Sequence, residues 1–175
     1  PRISDLADVN NDGYIDIVQA SFNSNTVSWL PGNGTGTGFG NEQVISSDIG
    51  NPLALHVAEL TGDGLPDIVV ASTDDEILYL IENDDSGSFK TARTIATSMS
   101  NIYDINSADL DGDGDQDILI ADYEGDHISW FRNDGVGTFF QSQNLIGSYN
   151  SPRAINAGDF DGDGDMDVAA SLYRE

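Results

Sequence analysis

Residues 109–117 read Asp-Leu-Asp-Gly-Asp-Gly-Asp-Gln-Asp, and the apolar run Ile118-Leu119-Ile120-Ala121 follows at once. The same arrangement stands at three other places: DVNNDGYID from Asp8 to Asp16, ELTGDGLPD from Glu59 to Asp67, and DFDGDGDMD from Asp159 to Asp167. Their starts are 51, 50 and 50 residues apart, and the apolar runs behind them are IVQA, IVVA and VAAS. A fixed period of this size marks a chain built from copies of one supersecondary unit, each of which needs its neighbours to bury its apolar surface.

A second landmark keeps the period. Asn33, Asn83 and Asn133 each open a Gly- and Asp-rich turn that closes on a Phe six residues later, at Phe39, Phe89 and Phe139. Each turn is preceded by a strand-like segment, TVSWL, EILYL or HISWF. Pro152, Arg153 and Asp159 are spaced as Pro1, Arg2 and Asp8 are, so the chain divides into repeats 1–51, 52–101 and 102–151 and a half repeat, 152–175. In the third repeat strands are predicted over residues 102–108, 117–123, 127–132 and 139–145, with turn-rich stretches between them. Helical spacing of apolar residues is absent. Four strands per unit at a period near 50 predict an all-β fold: a partial β-propeller of three four-stranded blades plus the first hairpin of a fourth. Closed propellers need about four blades or more. The chain, which opens on Pro1 and carries no signal segment, is therefore expected to be a fragment of a longer propeller. The alternatives are a ring shared by two copies, or self-association through open blade edges.

The composition bounds the chemistry. Thirty-one Asp and Glu face six Lys and Arg among 175 residues, a formal charge of −25. An acidic fold of this kind repels itself unless cations are bound. It lacks the basic footprint that nucleic acid or an anionic membrane surface requires. The hydrophobic share, 38%, is enough for a core, and 19 Gly suit short strands and tight turns. With no Cys there are neither disulfides nor thiolate zinc sites. No stretch approaches the roughly 18 apolar residues of a membrane span, so no insertion into a membrane is expected.

The acidic stretch has the form D-x-[D/N/T]-x-D-G-x-x-D, with Glu59 replacing the first Asp in the second copy. Calcium takes about six to eight oxygens at roughly 2.3–2.6 Å. A tight loop points alternate side chains at one centre, so positions one, three, five and nine are expected to give side-chain oxygens. Position seven, which is Tyr14, Leu65, Asp115 or Asp165, can give its carbonyl. Gly at position six permits a positive φ. An EF-hand begins in the same way but ends on a bidentate Glu at position twelve. Here that position is Gln19, Val70, Ile120 or Ala170, and the flanks are strand-like, so an EF-hand is excluded.

These loops, their flanks and their period resemble the FG-GAP or VCBS repeat family, which includes the calcium-binding β-propeller of integrin α subunits. The resemblance covers essentially the whole chain. It implies up to four Ca²⁺ on the underside of the propeller. The ligands would be Asp8, Asn10, Asp12 and Asp16 in the first loop, and Glu59, Thr61, Asp63 and Asp67 in the second. They would be Asp109, Asp111, Asp113 and Asp117 in the third, and Asp159, Asp161, Asp163 and Asp167 in the fourth. The second departs from the pattern at Glu59 and Thr61 and is expected to be the weakest. The resemblance also implies an extracellular or cell-surface module that binds a protein or glycan by the opposite face. The alternatives are a non-catalytic accessory domain of a secreted carbohydrate-active enzyme and a structural spacer in a surface fibre.

Trp29, Tyr79 and Trp130 on the third strands are expected to pack between blades, and Phe39, Phe89 and Phe139 to fill the blade core. Arg2 and Arg153 match each other and are expected to serve a blade contact. Asn33-Gly34-Thr35 is a glycosylation sequon in a surface turn. The only histidines, His56 and His127, are not repeat-equivalent, and no Ser, His and acid set recurs near a motif. The chain is accordingly expected not to be an enzyme in its own right.

Overall fold

The computed structural model describes residues 2–36, 38–85, 87–99, 101–146 and 151–173, without the side chains of 141–144 and 146. The predicted Pro1, Arg174 and Glu175 ends of the repeats lie outside the described residues. The first blade is a four-stranded antiparallel sheet of β1 (Ile3–Ala7), β2 (Asp16–Ser21), β3 (Thr26–Leu30) and β4 (Gln43–Ser46), in that order. The second holds β5 (Pro52–Ala58), β6 (Asp67–Ser72), β7 (Ile77–Ile81) and β10 (Arg93–Thr97), with a small hairpin of β8 (Asn83–Asp85) and β9 (Ser88–Phe89) between the last two. The third is β11 (Ile102–Ala108), β12 (Asp117–Asp122), β13 (His127–Asn133) and β14 (Phe139–Ile146). A two-stranded sheet of β15 (Pro152–Gly158) and β16 (Asp167–Leu172) begins a fourth. This is the predicted partial propeller. Among the described residues the one helical element is a single 3₁₀ turn, Phe22–Ser24.

The first strands β1, β5, β11 and β15 lie side by side in sequence order, so the blades stack face to face in an arc. Burial along the second strands follows from that stacking. Alternate residues of β2 are buried, because only one of its faces meets another blade. Every residue of β6 and β12 is buried, because each is covered on both sides. In β16 four of six residues are exposed. The apolar clusters lie between blades. Val18, Val27, Trp29 and Ile49 of the first meet Leu55, Ile68, Val70 and Ile81 of the second. Val69, Leu78 and Leu80 on the other face of the second meet Ile105, Ile118, Ile120 and Phe131 of the third. Leu119, Ala121 and Ile128 then meet Ile155 of the fourth. The continuous apolar runs behind the acidic loops are thus the strands that must satisfy two interfaces at once.

Amides lock this stack. Asn83 Nδ2 donates to Val9 O of the preceding blade at 2.8 Å and to Pro66 O at 3.2 Å. Asn133 Nδ2 repeats this with Leu60 O at 2.9 Å and Gln116 O at 3.0 Å. Both residues are buried. Asn33 is not their equivalent. The first repeat is one residue longer, and the place sixteen residues after Asp16, held by Asn83 and Asn133 in later blades, is taken by Gly32. Asn33 is exposed and folds back on its own turn, its Oδ1 accepting from Thr35 N at 3.1 Å and Thr35 Oγ1 at 2.8 Å. Phe39 departs from the expected core for a related reason. Phe89 and Phe139 pack against interblade clusters, whereas Phe39 is 47% exposed because no blade precedes it in this chain. On the third strands, Leu80 rather than Tyr79 sits in the register of Trp29 and Trp130.

Removing the Asn133 amide strips the donor from two carbonyls that the stack keeps from water. Asn133→Ala, and likewise Asn83→Ala, should therefore cost about 2–4 kcal/mol in denaturant unfolding, while Asn33→Ala should cost less than about 0.5 kcal/mol. Equal losses at Asn33 and Asn133 would contradict the interblade role.

Candidate functional site

Each acidic loop joins the first strand of a blade to its second, so its residues gather at one end of that hairpin. The loops close on their own side chains. Asp109 Oδ1 accepts from Gly112 N at 2.8 Å and Asp113 N at 3.1 Å, and Oδ2 accepts from Gly114 N at 3.0 Å. In the fourth loop Asp159 takes Gly162 N at 2.7 Å and Gly164 N at 3.1 Å. In the first, Asp8 takes Asp12 N at 3.0 Å and Gly13 N at 2.7 Å. Such a turn needs left-handed backbone. The position-six residues Gly13, Gly64, Gly114 and Gly164 have φ of 87°, 84°, 98° and 97°. Position four is left-handed too, at Asn11 (55°), Gly62 (74°), Gly112 (76°) and Gly162 (82°), which explains why only Gly and Asn occur there.

Position nine does more than offer an oxygen. Asp117 is fully buried, and its two oxygens accept from Leu110 N at 3.1 Å and Asn133 N at 2.8 Å. Asp67 does the same with Leu60 N at 3.1 Å and Asn83 N at 2.9 Å, and Asp16 with Val9 N at 2.9 Å and Gly32 N at 2.7 Å. One carboxylate ties the acidic loop to the end of the third strand. Burial raises all three above the ordinary aspartate value, against the pull of those N–H donors, and Asp67 reaches about 6.

The fit to a cation differs among the loops. One carboxylate oxygen each from Asp109, Asp111 and Asp113 lie within 4.8 Å of one another, and so do those of Asp159, Asp161 and Asp167. An all-oxygen donor set without His or Cys suits a hard ion such as calcium. The third loop also draws in a cation of the protein's own: Arg132 Nη1 lies 3.4 Å from Asp111 Oδ2. Among the described residues the acids of the first and second loops do not converge in this way. In the first, Asn10 Nδ2 donates to Asp12 Oδ2 at 3.0 Å. In the second, Thr61 Oγ1 donates to Asp67 Oδ2 at 3.1 Å, and Glu59 Oε1 is taken by Thr61 N at 3.1 Å and Gly62 N at 2.5 Å. The carbonyl oxygens of Tyr14, Leu65, Asp115 and Asp165 fall within the same turns, their N–H groups donating to the position-five carboxylates.

A second cluster lies at the other end of the hairpins. The Arg153 guanidinium carbon stands 5.3 Å from the Tyr103 ring centre, 5.2 Å from that of Tyr123 and 4.3 Å from that of Tyr173. Tyr103 and Tyr123 are themselves 4.7 Å apart. Ile102 pairs with Asp122, while Ala108, beside the acidic loop, pairs with Asp117. The cluster therefore sits about 20 Å from the acidic loops, at six residues of strand, on the opposite face and at the seam between the third blade and the fourth hairpin. The expected blade contact of Arg153 is this cation–π contact; Arg2 makes a smaller version over Phe22 at 5.3 Å. Sequence reading missed the tyrosines, although Tyr123 and Tyr173 stand 50 residues apart.

A family model described as "FG-GAP-like repeat" matches three overlapping stretches, residues 8–70, 59–120 and 109–170. Against the curated proteins the chain finds no match. Among solved structures it is similar to a lectin of Agrocybe aegerita, described as specifically recognising non-reducing terminal N-acetylglucosamine, at 25% identity and a TM-score of 0.65 over 94% of this chain and 45% of the lectin. It is also similar to BBS1N, solved in complex with ARL6DN, at 14% identity and a TM-score of 0.58 over 97% of this chain and 53% of the other. The chain thus spans about half the length of either.

The raised Asp67 gives a pH signature in chelator. Between 3.8 and about 6 the folded state holds a proton that the unfolded chain has released, so stability falls as pH rises through that window. Asp67→Asn should flatten the fall in unfolding free energy between pH 4 and pH 6, measured by denaturant titration; an unchanged slope would count against a buried, proton-holding Asp67.

Proposed function

We propose, from the premise that this chain belongs to the FG-GAP-like repeat family, that it is a calcium-stiffened propeller module of a secreted or cell-surface protein that binds glycans. Membership in the family and the propeller-like fold support a binding module. The observation that carries the finer reading is the Arg153–Tyr103–Tyr123–Tyr173 cluster on the face away from the acidic loops. Aromatic rings offer apolar faces to the C–H side of a sugar, and a guanidinium offers a fork of donors to its hydroxyls. Tyr173 and Arg153 are exposed and within reach of such a ligand. The lectin neighbour supports the same ligand class.

Calcium has a structural part in this reading. Asp109, Asp111 and Asp113 would hold one ion, and Asp159, Asp161 and Asp167 another. A bound ion supplies positive charge that offsets the repulsion among these acids. The residues themselves hold the loop in shape through the N–H bonds to Asp109 and Asp159. Extracellular modules of this kind bind calcium at roughly 10⁻⁴–10⁻³ M, which suits the millimolar calcium outside cells. Recognition of this sort needs no catalytic group.

Calcium at about a hundred times its dissociation constant should stabilise the fold by about 2.7 kcal/mol per site over chelator, read as a rise in melting temperature. Asp113→Ala and Asp161→Ala should each remove more of that gain than Asp63→Ala; identical melts with calcium and with chelator would sink the metal reading. For the glycan, titration with N-acetylglucosamine-terminated oligosaccharides by calorimetry should show binding that Arg153→Ala or Tyr123→Ala weakens at least tenfold. Binding left intact in both variants would move the ligand elsewhere.

A further inference from the structure

His56, on β5, sits between β1 and β11 on the inner side of the arc, and three blades meet on its ring. Its Nδ1 lies 3.1 Å from Asp5 Oδ2, and its Nε2 lies 3.0 Å from Ser107 Oγ. Hydroxyl, imidazole and carboxylate thus stand in a line, one from each of three successive blades, at intervals of 51 residues. Asp5 is held in turn by Val57 N at 2.9 Å and Leu6 N at 2.8 Å. Burial pushes its carboxyl up, but the bonds from His56, Val57 and Leu6 outweigh this and hold it below the ordinary value. The other carboxylate whose charge reaches His56 is Asp104 on β11, itself raised by burial and tied to Ile155 N at 2.9 Å. With Nδ1–H donated to Asp5, the Nε2 lone pair faces the Ser107 hydroxyl, the tautomer a general base requires.

A donor for a developing oxyanion stands beside that hydroxyl. β5 and β11 are edge strands of their sheets, and the Val57 N–H points off its edge to Asp5. Val57 faces Ile68 as Ser107 faces Ile118, in the same register of the same hairpin. The N–H of Ser107 therefore points off its edge as well, next to its own Oγ. The His56 and Asp5 side chains are 21% and 32% exposed, so solvent and a small reagent reach the row.

We propose that Ser107 is an activated nucleophile that accepts acyl groups from small esters, with His56 as its general base and Asp5 as the positioning carboxylate. Ser107 Oγ bonds to the ester carbonyl carbon while its proton passes to His56 Nε2. The tetrahedral adduct then expels the alcohol, which leaves with that proton. Water enters by the same route, gives its proton to His56 and releases the carboxylic acid, and the proton returns to Ser107.

The test uses the intact chain with a fluorophosphonate probe and with p-nitrophenyl acetate. Peptide mapping of the labelled native protein should place the phosphonyl group on Ser107, with none taken up after heat denaturation. His56→Ala should lower the labelling rate at least 100-fold. Asp5→Asn should lower it tenfold or more and displace the pH–rate profile, which a merely structural contact would not do. Mapping needs no variant, so it decides the matter even where a substitution loosens the stack. A label on another serine, no label at all, or an undiminished rate in a folded His56→Ala protein overturns the proposal.

Discussion

One carboxylate per blade organises this molecule. The aspartate at position nine takes an N–H from its own acidic loop with one oxygen and an N–H from the end of the third strand with the other. In the second and third blades the residue giving that second N–H is an asparagine, whose amide crosses to the acidic loop of the blade before. Loop, third strand and neighbouring blade are therefore held through two adjacent side chains. The carboxylate is buried to do this, which is why its proton is held more tightly than in water. Buried charge of this kind persists only where its hydrogen bonds are complete.

Much of this was legible in the residues. The acidic stretch fixes a tight turn because its glycines and asparagine stand where the backbone is left-handed. The apolar run behind it fixes a strand with two covered faces. What the residues do not show is register between repeats. One extra residue in the first repeat moves Gly32 into the place that Asn83 and Asn133 hold, and a period counted on asparagines steps over the shift. Burial set by neighbours is equally hidden, since Phe39 differs from Phe89 and Phe139 only in lacking a blade to lean on. The Asp5–His56–Ser107 row joins residues far apart in sequence, and only the stacking of first strands brings them together.

The two ends of each hairpin carry opposite chemistry. At one end carboxylates crowd together and call for a cation. At the other, in the third and fourth repeats, tyrosine rings surround an arginine, one of only six basic residues in a chain of charge −25. Separating them by the length of a strand keeps that guanidinium out of the acidic loops and leaves it on the opposite face. Arg132 is the instructive contrast: it lies near the loop end of its strand and turns to Asp111.

The amide ties have a direction. Those of Asn83 and Asn133 each run from a blade back to the one made before it. A blade emerging from the ribosome thus meets a finished surface with carbonyls already facing outward, and its asparagine arrives in time to cap them. Growth adds order at the newest end while older blades stay as they are.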